Sequence, residues 1–273
     1  MISREGMGVS RLLLAWLEDP AALNICRHLL KSHPFQKRGE VYYWGKLALL
    51  FSEENPLEMR VLPFPVEEVV ILSRHASISG VPTLSVHVPG EPQRERLALA
   101  KPETVGSILR SLQEVKEEMN LPHQVCLEAT HHGPTDLSVP VTFVEIGSTR
   151  EEWTREEAGK AVAKAVLSPP GECLRAIGVG GPHYAPRHTE TILKTKYWTG
   201  HLLPKYLTFT EGLLKQALSR TQGGADLVLS DEDGLNSEQK RIVNETCRKL
   251  GVTKLTIKRS FLKSFKTKEN SFH

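Results

Sequence analysis

The chain has 273 residues, 40% of them hydrophobic, and a formal net charge of only +3, which provides a sizeable core but a weak whole-molecule field. No apolar run approaches the roughly 18–20 residues of a membrane span, and the polar start Met1–Gly8 followed by the short run Leu12–Leu17 lacks the form of a secretory leader. The four cysteines (Cys26, Cys126, Cys173, Cys247) are widely spaced with no CxxC, so buried thiols in a cytoplasmic protein are expected, rather than disulfides or zinc thiolates.

In chain order, Leu12–Leu17 predicts a strand, and Asp19-Pro20 supplies an N-cap and first-turn proline for a helix through about Leu30. Tyr42–Trp44 and Leu47–Phe51 predict short strands joined across Gly45-Lys46. Val69–Ser73 and Leu84–Val88 predict two more. Helical spacing of Val105, Ile108, Leu109, Leu112, Val115 and Met119 predicts a helix over 104–119. Strands follow at Gln124–Thr130 and Val141–Ile146. Thr149-x-x-Glu152 is a capping-box pattern for a helix to Leu167, stopped by Ser168-Pro-Pro-Gly171. Strands at Leu174–Val179 and Asp226–Ser230 precede a helix capped by Asn236-x-x-Gln239 and stopped by Gly251, then a last strand at Lys254–Lys258. Strands alternating with helices predict an α/β fold with a mixed, largely parallel sheet flanked by helices. No repeat or linker divides the chain, so one domain over 1–273 with insertions is expected.

Two blocks concentrate chemistry. Glu128-Ala-Thr-His-His-Gly-Pro-Thr135 and Gly178-Val-Gly-Gly-Pro-His-Tyr-Ala-Pro186 each follow an apolar run and pack histidine, glycine and proline into a strand-end turn. Gly178-x-Gly180-Gly181 lacks the later glycine of a dinucleotide fingerprint and is no P-loop. Such a turn either presents N–H groups to an anion or oxyanion, or simply needs positive φ. His75, His131, His132, His183 and His188 fall at predicted strand ends. They are structural, or with Glu128 or Glu145 they form a metal or acid–base centre. There is no G-x-S-x-G and no cysteine beside a catalytic-looking turn, so a hydrolase of this sequence would use water. Residues 248–273 carry eight Lys/Arg against one acid, with Phe261 and Phe265 among them, and Lys31–Arg38 is a smaller basic cluster. Each is a solvated basic surface or a phosphate-binding one.

Several motifs in order resemble the archaeal and plant type of D-aminoacyl-tRNA deacylase. They are Ser73-Arg-His75-Ala-Ser77-x-Ser79-Gly80-x-Pro82, Ser85-x-His87, Glu128–Pro134, Phe143-Val-Glu-Ile-Gly-Ser-Thr149, Gly178–Pro186 and Gly200-His201…Lys205-Tyr206. The chain departs from that pattern at Ile78, Glu91 and Asp231-Glu232-Asp233. The resemblance implies a fold similar to peptidyl-tRNA hydrolases and other phosphorylase/hydrolase-like folds. It also implies zinc, up to two ions per chain, and hydrolysis of the ester between a D-amino acid and the tRNA 3′ end.

The resulting expectation places His131, His132 and His183 in the hydrolytic centre, oriented by Glu128 or Glu145. His75, His132, His183 and His188 are the expected metal ligands. Gly178, Gly180 and Gly181 are expected to offer oxyanion donors, and Thr130, Thr149, Tyr184 and Lys205 to bind substrate. The expected partner is D-aminoacyl-tRNA, through its acceptor stem and CCA end, with no DNA, no membrane and a monomeric protein. The rival readings are a zinc-dependent amidase or peptidase on small substrates and a non-catalytic tRNA-binding module.

Overall fold

The computed structural model describes residues 8–258. The predicted 248–273 segment therefore lies outside the described residues from Arg259 onward, including Phe261 and Phe265. The first half comprises β1 (Val9–Trp16), α1 (Pro20–Ser32), β2 (Gln36–Arg38), β3 (Val41–Trp44), β4 (Leu47–Ser52), β5 (Val66–Ala76), β6 (Thr83–His87), β7 (Gly90–Glu91), β8 (Arg96–Leu97), α2 (Pro102–Glu118) and β9 (Gln124–Leu127). The second half comprises β10 (Val141–Ser148), α3 (Arg150–Thr154), α4 (Glu156–Ala165), β11 (Leu174–Gly180), α5 (Pro186–Lys194), β12 (Tyr197–Leu203), α6 (Glu211–Ser219), β13 (Leu227–Asp231), α7 (Ser237–Leu250) and β14 (Thr253–Thr256).

The strands form two main sheets. The larger has the order β2-β3-β4-β1-β5-β10-β6-β9, the smaller β12-β11-β13-β14. In the larger sheet β4, β1, β5 and β10 run parallel, while β6 enters antiparallel to β10 with Phe143 opposite His87 and Glu145 opposite Ser85. The smaller sheet is wholly parallel. The mixed, largely parallel α/β architecture is the predicted one.

The two sheets share a core. Leu12, Leu14, Ile71 and Phe143 of the large sheet belong to the same buried cluster as Trp198 and Leu202 of β12. Gly106 of α2 makes this docking possible: a Cβ there would stand 2.2 Å from the Trp198 ring. At roughly 25 cal/mol per Å² of apolar area removed from water, a core of this extent dominates the folding free energy.

Local chemistry explains where the predicted boundaries hold and where they fail. Asp19 caps α1 by accepting from Ala21 and Ala22 N–H, and the Asn236/Gln239 capping box closes reciprocally on α7, with Gly251 at φ 66° ending it. The helix predicted from Thr149 to Leu167 is instead two helices broken at Arg155, whose backbone is extended, and Thr149 makes no side-chain cap. Glu152 does not complete a capping box: its carboxylate accepts from Arg155 Nη2 at 2.8 Å and lies 3.0 Å from His123 Nε2. The predicted strand 124–130 ends at Leu127, and α5, β12 and α6 were not predicted.

Candidate active site

After Leu127 the chain leaves the large sheet and crosses to the small one. Glu128 bridges Tyr184, Ala129 N–H donates to His183 O at 2.8 Å, and Thr130 N–H donates to Leu202 O at 2.8 Å. Ala185 N–H returns to Leu127 O at 3.1 Å. Backbone hydrogen bonding thus zips the two histidine-bearing turns together. His132 sits at φ 46°, a strained backbone for a non-glycine residue, and Gly133 follows where a Cβ would meet the Leu57 carbonyl at 2.3 Å.

The result is a cluster at the end of a cavity of about 380 Å³ lined by Trp16, Asp19, Leu57, Arg74 and Phe143 with His75, His131, His132, Glu145 and His183, while Glu128 lies buried behind them. Buried Glu128 is its hub. Its Oε2 accepts from His183 Nε2 at 3.1 Å and lies 3.8 Å from His131 Nε2, while Oε1 lies 3.5 Å from His75 Nδ1. Glu145 Oε2 stands 3.3 Å from the same His75 nitrogen, and Tyr184 Oη meets His75 Nε2 at 2.5 Å. Tyr206 Oη contacts His183 Nδ1 at 3.2 Å. His131 Nδ1–H donates to Ala129 O at 2.8 Å and His132 Nδ1–H to Gly133 O at 2.7 Å. Those carbonyls fix the tautomers and leave both Nε2 lone pairs free.

Electrostatics separates the groups by role. Burial pushes Glu128 up, but the His183 bond and the nearby His75 outweigh it and hold the carboxyl below its usual range. Burial drives Glu145 the other way, to about 8, with the Glu128 charge adding to the effect. Burial disfavours charge on His75, yet its bond to Glu145 and the charges of both carboxylates raise it above the ordinary imidazole value. Burial lowers His131, takes His132 to about 4 and depresses His87 further, each helped by neighbouring imidazoles. The site therefore pairs an ionised carboxylate with neutral imidazoles able to accept a proton from water.

The donor set also fits a metal. Three groups have ligand atoms within 4.8 Å of one another: His87/His131/His132, Glu128/His131/His183 and His75/Glu128/Glu145. Both ring nitrogens of fully buried His87 and Oε1 of Glu128 have no hydrogen-bond partner, an imbalance that a cation would relieve. Carbonyl bonds to the Nδ1–H of His131 and His132 are the outer-shell arrangement that ligating histidines need.

Of the predicted site residues, Glu128, His131, His132, Glu145, His75, His183 and Tyr184 come together. The others do not. His188, offered as a ligand, is buried on α5 with Nε2 3.3 Å from Val179 O and its ring packed beneath Gly178, outside the three ligand groups. Thr130 faces the core: its hydroxyl accepts from Leu202 N–H at 3.0 Å and lies 3.3 Å from His201 Nδ1. Thr149 is exposed at the head of α3, away from the cavity lining. Gly180 and Gly181 take φ 86° and 79°, as the tight-turn reading requires, and pack on Asp231, whose carbonyl oxygen a Gly180 Cβ would meet at 2.0 Å. Lys205 N–H caps that turn by donating to Gly181 O at 2.9 Å, while its aliphatic stem lies over Gly234. The sequence reading missed His87 and Tyr206 as site residues. His87 stood in the quoted Ser85-x-His87 motif, but its place beside His131 depends on the antiparallel β6–β10 pairing, which no local signal announces.

A family profile described as D-aminoacyl-tRNA deacylase matches residues 63–255. The D-aminoacyl-tRNA deacylase of Aeropyrum pernix is 38% identical over 264 residues, covering 85% of this chain and 94% of that protein. The corresponding protein of Methanosarcina mazei is 36% identical over 214 residues, 74% and 71% of the two chains. That of Pyrococcus furiosus is 30% identical over 259 residues, 86% and 95%. The crystal structure of a conserved protein of unknown function superposes with a TM-score of 0.84 at 31% identity, covering 93% of this chain and 97% of the other. The chain therefore belongs to the D-aminoacyl-tRNA deacylase family.

Proposed function

We propose that this chain hydrolyses the ester joining a D-amino acid to the 3′ end of tRNA, releasing both. The observation that carries the reading is the Glu128 hub: one buried carboxylate touching imidazoles from three separate segments at the end of a cavity. Glu128 orients His183 and faces His131 across 3.8 Å. Neutral His131 takes the proton of the attacking water through Nε2, and the Glu128 charge stabilises the imidazolium that forms. The same proton then returns to the departing ribose oxygen. Tyr184, whose hydroxyl is kept protonated by burial, and Glu145 border the position of the developing oxyanion. Enantiomer choice follows from which side of the α-carbon has room in the cavity.

Zinc suits the donor set: an ion at His75/Glu128/Glu145 would leave His131 Nε2 free as the base, whereas a second ion at His87/His131/His132 would occupy that lone pair and take over activation of the water. When bound, zinc supplies Lewis acidity and a more acidic water. Residues from both sheets build the site, so the chain acts as one unit, here taken as a monomer. No helix among the described residues is long and apolar enough to cross a membrane, and a tRNA substrate fits a cytoplasmic enzyme.

The test is release of labelled tyrosine from D-Tyr-tRNA and L-Tyr-tRNA side by side. Loss of the D form with the L form spared is expected. Activity on small D-aminoacyl amides without RNA would favour the amidase reading, and salt-sensitive tRNA binding without turnover would favour the binding module.

A further inference from the structure

A second concavity of about 360 Å³ adjoins the catalytic cavity and shares Arg74 with it. Its walls include Leu17 and Leu23, exposed at 44% and 38%, together with Trp153 and one exposed acid, Glu18, against the two arginines. Arg150 closes its far side. The Arg74 guanidinium lies 5.8 Å from the Trp16 ring centroid and 5.5 Å from that of Trp153. One of its N–H groups donates to Glu18 O at 3.1 Å, and Trp153 is pinned by its own N–H bond to His75 O at 2.8 Å. Neither guanidinium group, of Arg74 or of Arg150, has a carboxylate within 4 Å among the described residues, although the Arg74 backbone N–H donates to Asp19 Oδ2 at 2.9 Å. Of the arginines lining the neighbouring concavity beyond Leu57, Arg94 and Arg96 are engaged by Glu91 and Asp136, while Arg60 has no ion pair among the described residues but stands away from the groove lining.

An arginine held between two indoles is oriented before any ligand arrives, and its remaining N–H groups suit a phosphodiester. Exposed apolar side chains in one groove with two guanidinium groups free of carboxylate partners match an unpaired nucleic-acid strand, which offers base faces and phosphates in alternation. We propose that this groove holds the single-stranded 3′ end of the substrate. Arg74 binds the phosphate of the terminal adenosine at the mouth of the catalytic cavity, and Arg150 with Trp153 holds the nucleotide before it. The inference rests on the deacylase reading for its substrate, and on the groove's charge and its continuity with the cavity for the placement.

Two full-chain experiments separate the claims. Steady-state hydrolysis compares D-tyrosyl-CCA with D-tyrosyl-adenosine, which lacks the phosphates. In the wild type the trinucleotide ester is preferred in kcat/KM. In Arg74→Ala/Arg150→Ala that preference falls about tenfold through KM, and Arg74→Lys restores little of it because lysine lacks the planar fork. Independently, tryptophan fluorescence is titrated with ACCA oligonucleotide that carries no amino acid. Binding by the wild type is expected, and in the double variant the slope of log K against log salt is shallower by about 1.4, the loss of two single-strand phosphate contacts. An unchanged preference together with an unchanged salt slope would overturn the proposal. Oligonucleotide binding through the arginines with no ester hydrolysis would instead overturn the deacylase reading and leave the groove standing.

Discussion

Each main sheet carries two carboxylates beside it, and the two pairs are built for different ends. At the large sheet, Glu128 and Glu145 face imidazoles, with no lysine or arginine within salt-bridge distance among the described residues. At the small sheet, β12 and β13 flank β11 on opposite sides, the switch point where ligands commonly bind parallel sheets. There Arg187 neutralises Asp231, at 2.5 Å, and Asp233, while Gly180 presses on the Asp231 carbonyl. The second pair is taken up by its own ion pairs and packed backbone. Topology nominates both places, but only the one whose carboxylates lack a permanent cation is left able to move protons.

Substitutions should expose that difference. The largest effect is expected at His131: His131→Ala should lower kcat by about 10²–10⁴, the range for loss of a general base, with an unchanged circular dichroism spectrum. Retention of wild-type kcat would remove His131 from the chemistry. His188→Ala should cost about 2–4 kcal/mol of stability by emptying a buried site, visible as a lower Tm, while the folded fraction keeps its kcat. Asp231→Ala should cost about 1–3 kcal/mol by leaving half-buried Arg187 without its buried partner and only exposed Asp233, again with little change in kcat. A large loss of turnover in either variant would erase the contrast.

The smallest effect concerns pH. His188 and His201 are both lowered by burial to about 4, below the ordinary imidazole value near 6.5. The unfolded chain therefore binds more protons between these values, and stability is complete above about 6.5 and lost as the pH falls toward 4. Going from pH 7 to pH 5 should cost on the order of 1–2 kcal/mol for each of these histidines, read as a falling Tm. A Tm that rises on acidification would contradict the assigned burial.

The cluster was legible where chemistry is local. Glycine, proline and histidine packed into strand-end turns marked Glu128–Thr135 and Gly178–Pro186, and Asp19-Pro20 and Asn236-x-x-Gln239 announced helix starts that the structure contains. What failed was long-range or directional. His188 shares its sequence neighbourhood with His183, yet the helix beginning at Pro186 turns it into the core beneath Gly178. Thr130 adjoins two site histidines but points to His201 because extended residues alternate faces. His87 reaches the site only through strand pairing that ignores chain order. The missing capping box at Thr149 reflects the Glu152 side chain facing His123 and Arg155 instead, and the extended backbone of Arg155 that divides the helix has no local sequence signal.

The most direct test of the central claim is single-turnover deacylation of D-Tyr-tRNA by Glu128→Gln and Asp231→Asn, assayed in parallel with the wild type after both are shown to be folded. A slowing of about 10²-fold or more is predicted for Glu128→Gln, which keeps the shape of the hub but removes the charge that stabilises the imidazolium. Asp231→Asn is predicted to remain near the wild-type rate. Comparable rates for Glu128→Gln and wild type, or an equal collapse in both variants, would contradict the assignment of the chemistry to the histidine–carboxylate cluster.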